Sequence, residues 1–128
     1  MAIYYLDLET IEKIRQKINL ESSETGYFYK GGVEFILYHV KDFGEELPEK
    51  DAILSKAAYL LYSISSNQYF VGGNKRTGLL VTSTFLNINN MHLNASEEDK
   101  YLISRAIASK SHSIESVINW IRQNLISE

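Results

Sequence analysis

The chain contains no cysteine among its 128 residues, which removes a disulfide framework, a thiolate zinc site and a cysteine nucleophile together. It has one proline, Pro48, and nothing in it resembles an interdomain linker. No apolar stretch approaches the ~18 residues that suggest a membrane span. A basic surplus is also missing. Thirteen Lys and Arg residues stand against 16 Asp and Glu, for a formal net charge of −3, whereas general nucleic-acid binding calls for a positive surface. Met1-Ala2-Ile3-Tyr4-Tyr5 is followed at once by Asp7 and Glu9, the wrong pattern for a secretory signal. The expectation is a cytoplasmic protein with no membrane and no general nucleic-acid partner.

What remains is a globular composition, 45% hydrophobic and 23% charged, in a chain about the size of one ordinary domain. Ile3 to Leu6 is a short β-like run. Asp7 is placed to cap a helix whose Leu8, Ile11, Ile14 and Ile18 form one stripe. Asn19 to Gly32 is polar and turn-rich, then aromatic at Tyr27-Phe28-Tyr29; it reads as a loop or loose hairpin over a site, or as a surface connector. Val33 to Val40 fits a short helix or a strand. After the connector Asp42 to Lys50, Pro48 suits the first turn of a helix in which Leu54, Ala57, Ala58, Leu61 and Ile64 make a wide apolar face. Asn74 to about Asn89 is ringed by Leu79, Leu80, Val81, Phe85, Leu86 and Ile88 and is expected to run through the middle of the domain. Met91-His92-Leu93 reads as a connector. Ser96 with Asp99 resembles a capping box for a helix turning Tyr101, Leu102, Ala106 and Ile107 inward. Ser113 opens a last helix with Ile114, Val117, Ile118, Ile121 and Leu125 on one face. The expected fold class is all-α, a single domain over residues 1–128 with five to six helices and a short N-terminal strand or flap.

Between the two most apolar runs lies Gln68-Tyr69-Phe70-Val71-Gly72-Gly73-Asn74-Lys75-Arg76-Thr77-Gly78. A glycine turn opening a helix offers unpaired N–H groups and a positive dipole end to an anion, and Lys75 and Arg76 add full charge there. A P-loop does not fit, because Gly78 is not followed by lysine and the preceding segment reads as helix. The dinucleotide signature of spaced glycines is absent as well.

Phe70 to Gly78 closely resembles the core signature of the Fic/Doc (Fido) family, written His-Pro-Phe-x-Asp/Glu-Gly-Asn-Gly/Lys-Arg. The Ala-Ala-Tyr-Leu-Leu run before it and Phe85-Leu86-Asn87 after it agree. The Gly-Asn-Lys-Arg-Thr form looks most like the death-on-curing (Doc) branch. The resemblance implies a compact Fido-like helical domain with a nucleotide-phosphate anion hole. That hole falls on the backbone from Gly73 to Lys75 and on the side chains of Asn74, Lys75, Arg76 and Thr77, with Phe70 as the buried loop anchor. It implies ATP or another nucleotide as ligand, a protein substrate whose hydroxyl receives a phosphoryl or nucleotidyl group, and an antitoxin protein as partner.

Three positions depart from the pattern. Gln68 falls on the family histidine, Tyr69 on the proline, and Gly72 on the acidic residue that helps to hold Mg²⁺. A glutamine amide cannot take a proton at neutral pH, and general-base assistance is worth ~10²–10⁴-fold. Mg²⁺ is usually held by one or two carboxylates plus phosphates, so without Gly72's counterpart the metal set is none from the motif itself. Replacement bases would have to come from His39, His92 or His112, of which His39 follows the flap, and replacement acids from Glu34, Asp42, Glu45 or Glu46. The inhibitory Ser/Thr-x-x-x-Glu-Gly/Asn signature is absent. The leading expectation is a Doc-like phosphate-binding protein impaired in transfer. The alternatives are an active toxin of a toxin-antitoxin pair with a rearranged base and metal site, with Lys75 and Arg76 doing the electrostatic work, and a helical protein-interaction module.

Overall fold

The computed structural model describes residues 2–18 and 26–127. The loop reading for residues 19–25 lies outside the described residues. Six helices and two short strands follow in the order α1 (Leu8–Lys17), α2 (Lys30–His39), α3 (Glu49–Ser66), α4 (Asn74–Ile88), β1 (Met91–Leu93), α5 (Glu97–Ala108), α6 (Ile114–Gln123) and β2 (Leu125–Ser127).

Local chemistry sets most of the boundaries. Asp7 Oδ1 accepts from both the backbone N–H and the hydroxyl of Thr10, and so caps α1. Ser96 caps α5 through the Asp99 N–H, and Ser113 caps α6 through the Ser116 N–H. Pro48 stands just before α3, its carbonyl accepting from the Ala52 N–H. The undecided run from Val33 to Val40 is helical. Val33, Ile36 and Val40 are buried together, the spacing of one helix face.

The core is built around α3, which packs against α2, α4, α5 and α6. Its twelve buried residues take in both the expected apolar face and its flanks. The middle of the domain therefore belongs to α3, where the sequence suggested α4. Leu80 and Ile88 of α4 are exposed, and that helix buries Thr77 and Thr82 instead, each hydroxyl donating to the carbonyl four residues back. The two helices approach closely at Gly78. A Cβ there would lie 2.7 Å from Ser65 Oγ.

Four expectations are corrected. Ile3 to Leu6 forms no strand; Tyr4 is instead held by one side chain, Asn89, which accepts from its N–H and donates to its carbonyl. Met91 to Leu93 is a strand, not a connector, paired antiparallel with β2 in the register Met91↔Ser127, Leu93↔Leu125. Leu125 consequently leaves the α6 face, because Asn124 ends that helix and the chain turns to pair. Finally, α5 is rotated relative to its expected face. Ile103, Ser104 and Ile107 are buried while Tyr101 and Leu102 face outward, since Ile103 and Ile107 (spaced i, i+4) make the better line against the core.

One core residue is charged. Lys56 is 0% exposed, and its ammonium donates to the carbonyls of Val40, Lys41 and Phe43 and to Glu45 Oε2. It thereby gathers the turn after α2 onto α3. Its carboxylate partner is 66% exposed, so most of the energy lies in the carbonyls. Lys56→Ala is expected to lower the unfolding free energy by about 3 kcal/mol or more, and Glu45→Gln by less than ~1 kcal/mol, both read from denaturant midpoints.

Candidate functional site

The segment between α3 and α4 carries the motif, and its shape follows from a few bonds. Gly73 adopts φ 68° and ψ 26°, left-handed values that a residue with a Cβ rarely takes. The following Asn74 turns its amide back on the loop. Its Oδ1 accepts from the Phe70 N–H at 3.1 Å and its Nδ2 donates to the Phe70 carbonyl at 3.0 Å. Phe70 itself is buried, as expected of the anchor.

A second clamp comes from α1. Arg15 Nη1 donates to the Gly72 carbonyl and to Thr77 Oγ1, while its guanidinium lies 4.3 Å from the Phe70 ring centroid. Thr77 is fully buried and donates onward to the Gly73 carbonyl at 2.7 Å. Arg76 Nη1 reaches the Ile18 carbonyl at 3.2 Å. The segment from Gly26 to Tyr29 closes over the other side. The N–H groups of Phe28 and Tyr29 donate to the Tyr69 carbonyl, Val71 donates to Gly26, and Tyr27 bridges to Phe70.

Of the anion-hole residues expected from the sequence, then, Asn74 and Thr77 are committed to the loop. Lys75 and Arg76 are exposed. Gly73, as N-cap, supplies no side-chain cap to α4. The first turn of α4 forms a ridge between two clefts that share Gly73, Asn74 and Lys75. One, of about 270 Å³, is lined by Ser65, Ser66, Gln68, Val71, Gly72 and Ala108 besides. The other, of about 370 Å³, adds Arg76, Leu79, Glu97, Lys100, Tyr101 and Ser104. Ser65 on the first side and Ser104 on the second are buried, and the hydroxyl of each has no hydrogen-bond partner among the described residues.

The replacement groups do not gather here. None of the three histidines lines either cleft. His39 packs against the rings of Phe35 and Tyr38, His92 Nδ1 lies 2.9 Å from Asn87 Oδ1, and His112 lines a separate cavity with Asp99 and Trp120. Glu34, Asp42, Glu45 and Glu46 are exposed on or after α2, and Glu45 is engaged by Lys56.

A model of the Fic/DOC family matches residues 5–86, from just before α1 into α4. The chain belongs to the Fic/DOC family. The helical fold with its small two-stranded sheet agrees with a Fido-like domain, and the match includes the whole loop from Gln68 to Gly78. Comparison with curated proteins returns no match. Among the described residues no helix is long and apolar enough to cross a membrane, and no group of three or more His, Cys, Asp or Glu is placed to hold a metal.

Sequence reasoning missed Arg15, Ser65 and the α5 wall. Arg15 lies in a run of charged residues on α1 and carries no signal that separates it from a solvated neighbour. Asn74→Ala leaves both polar groups of Phe70 without their partner and is expected to cost about 2 kcal/mol of stability, measured by urea unfolding. The closing segment adds a pH dependence. Burial first, then the Tyr27–Glu12 hydrogen bond, pushes the Tyr27 phenol up from 10.0 to about 12. A raised folded-state pKa means that the fold retains the proton, so this contribution is intact below pH 10 and is lost as pH rises to about 12. Thermal unfolding across that window should show the fall, reduced in Tyr27→Phe.

Proposed function

We propose that residues 1–128 are one domain of a Doc-like, cytoplasmic member of the family, which binds the phosphates of ATP or another nucleotide at the start of α4 and is impaired in transferring a phosphoryl or nucleotidyl group to a protein hydroxyl. One juxtaposition carries the reading. Lys75 and the uncapped first turn of α4 line a cleft that also holds Gln68 and Gly72, where transfer needs a proton acceptor and a carboxylate, and Arg76 lines the neighbouring cleft across the ridge. Members of the family generally bind nucleotide, and the backbone of Gly73 to Lys75 with two adjacent cations suits that ligand.

In this reading the phosphate ligands are the Gly73–Lys75 backbone and the side chains of Lys75 and Arg76. Arg76 spends one donor on Ile18, and a guanidinium has further donors to offer. Asn74, Thr77 and Phe70 hold the loop to which the ligand binds. Gln68 donates or accepts a hydrogen bond at the family histidine position and removes no proton. Phe28, Tyr29, Phe35 and Tyr38 are all exposed on the closing segment and α2, which favours a protein partner (an antitoxin or a substrate protein) at this face. The rearranged-transferase alternative has less support, because no histidine lines the clefts and the one carboxylate that lines them among the described residues, Glu97, is ion-paired.

Titration calorimetry with ATP tests the binding half. Lys75→Ala and Arg76→Ala are each expected to weaken binding about tenfold or more, and an unmodified protein that binds no ATP in any buffer would sink the reading. The catalytic half is tested by gain of function. Gln68→His with Gly72→Asp is expected to transfer label from radiolabelled ATP to protein in a cell lysate, with α- and γ-labelled ATP distinguishing nucleotidyl from phosphoryl transfer. Equal labelling by the unmodified protein would refute impairment.

A further inference from the structure

Mg²⁺ is the partner that the family resemblance attaches to the phosphates, and the donor set here does not fit it. Mg²⁺ demands hard oxygen ligands in octahedral array and is usually anchored by one or two carboxylates. Among the described residues, the cleft beside Gln68 is lined by no carboxylate. Its neighbour across the α4 ridge has one, Glu97, held 3.4 Å from the Lys100 ammonium. The position at which the family resemblance puts the metal-holding acid is Gly72, which has no side chain and whose carbonyl accepts from Arg15.

The cleft offers the complement of a metal site instead. Lys75 lines it and has no carboxylate partner among the described residues, and Arg76 follows on the next residue of the same turn. The first turn of α4, whose N-cap Gly73 supplies no side-chain bond, opens on it as well, so that backbone N–H groups and a cation face the same space.

We infer that this site takes its polyphosphate ligand as the free anion, without Mg²⁺. The inference rests on the phosphate-binding reading and deepens it. A bound Mg²⁺ cancels two negative charges of the ligand and occupies oxygens that Lys75, Arg76 and the α4 N–H groups would otherwise engage. Divalent metal therefore competes with the protein for the ligand instead of bridging the two.

Calorimetric titration of the whole chain with ATP, and separately with inorganic triphosphate, in EDTA and in excess Mg²⁺ tests this. Affinity is expected to be about tenfold higher in EDTA. Affinity equal or higher in Mg²⁺ overturns the inference and leaves the phosphate-binding reading standing; no binding in either buffer overturns that reading as well. Gly72→Asp returns a carboxylate and is expected to reverse the order, so that Mg²⁺ strengthens binding; an unchanged preference for EDTA in this variant overturns the assignment of the missing carboxylate as the cause. Thermal unfolding of the variant, read alongside, separates loss of binding from loss of fold.

Discussion

The loop before α4 depends on one amide. Asn74 makes two hydrogen bonds to the backbone of Phe70, the pairing that a neighbouring strand would otherwise provide. With both ends of Phe70 fixed, its ring is held in the core, and the chain between them must cover the distance in three residues. Gly73 supplies the left-handed turn that this requires. The start of α4 is left without a side-chain cap as a consequence, because its N-cap residue is that glycine. The same constraint that anchors the loop thus exposes the helix N-terminus to whatever anion the cleft admits. Asn89 uses the same device at the other end of α4, pairing with both backbone groups of Tyr4, so that one asparagine fixes the adjoining loop to the helix and the other a segment 85 residues away.

Much of this was legible in residue order. The helix caps at Asp7, Ser96 and Ser113 are short-range chemistry, and the structure has each side chain bonded to the N–H three residues on. The apolar face of α3 is periodic over about three turns and survives any error in its flanks. The motif itself placed Phe70 in the core and the glycine turn at the start of a helix, and both are found there.

What was not legible depends on partners distant in sequence. β1 is three residues long and exists only because β2 comes beside it from the far end of the chain; neither carries an internal signal strong enough to stand alone. The phase of α5 was set by which isoleucines meet α3, and Tyr101 and Leu102 are as apolar on paper as Ile103 and Ile107. Arg15 clamps Gly72 and Thr77 across 57 and 62 residues of sequence. Lys56 reads as one more solvated charge until the carbonyls of Val40, Lys41 and Phe43 are folded around it.

These long-range bonds change what the motif testifies to. Phe70, Asn74 and Thr77 each have a structural task in the loop, and Arg76 has part of one through Ile18. Their presence follows from the fold alone and would be required in a protein that bound nothing. Lys75 is different. It is exposed, lines both clefts, and its side chain has no hydrogen bond or ion pair to another described residue. A lysine directly on the positive end of a helix dipole is electrostatically unfavourable by the same interaction that makes an anion welcome there. Placing a second cation, Arg76, beside it adds to that repulsion. The arrangement is relieved when negative charge enters the cleft. The charge at Lys75 and Arg76, more than the letters of the motif, is therefore what the proposal of an anionic ligand rests on, and the proposal stands without calling on the base and the acid that Gln68 and Gly72 do not supply.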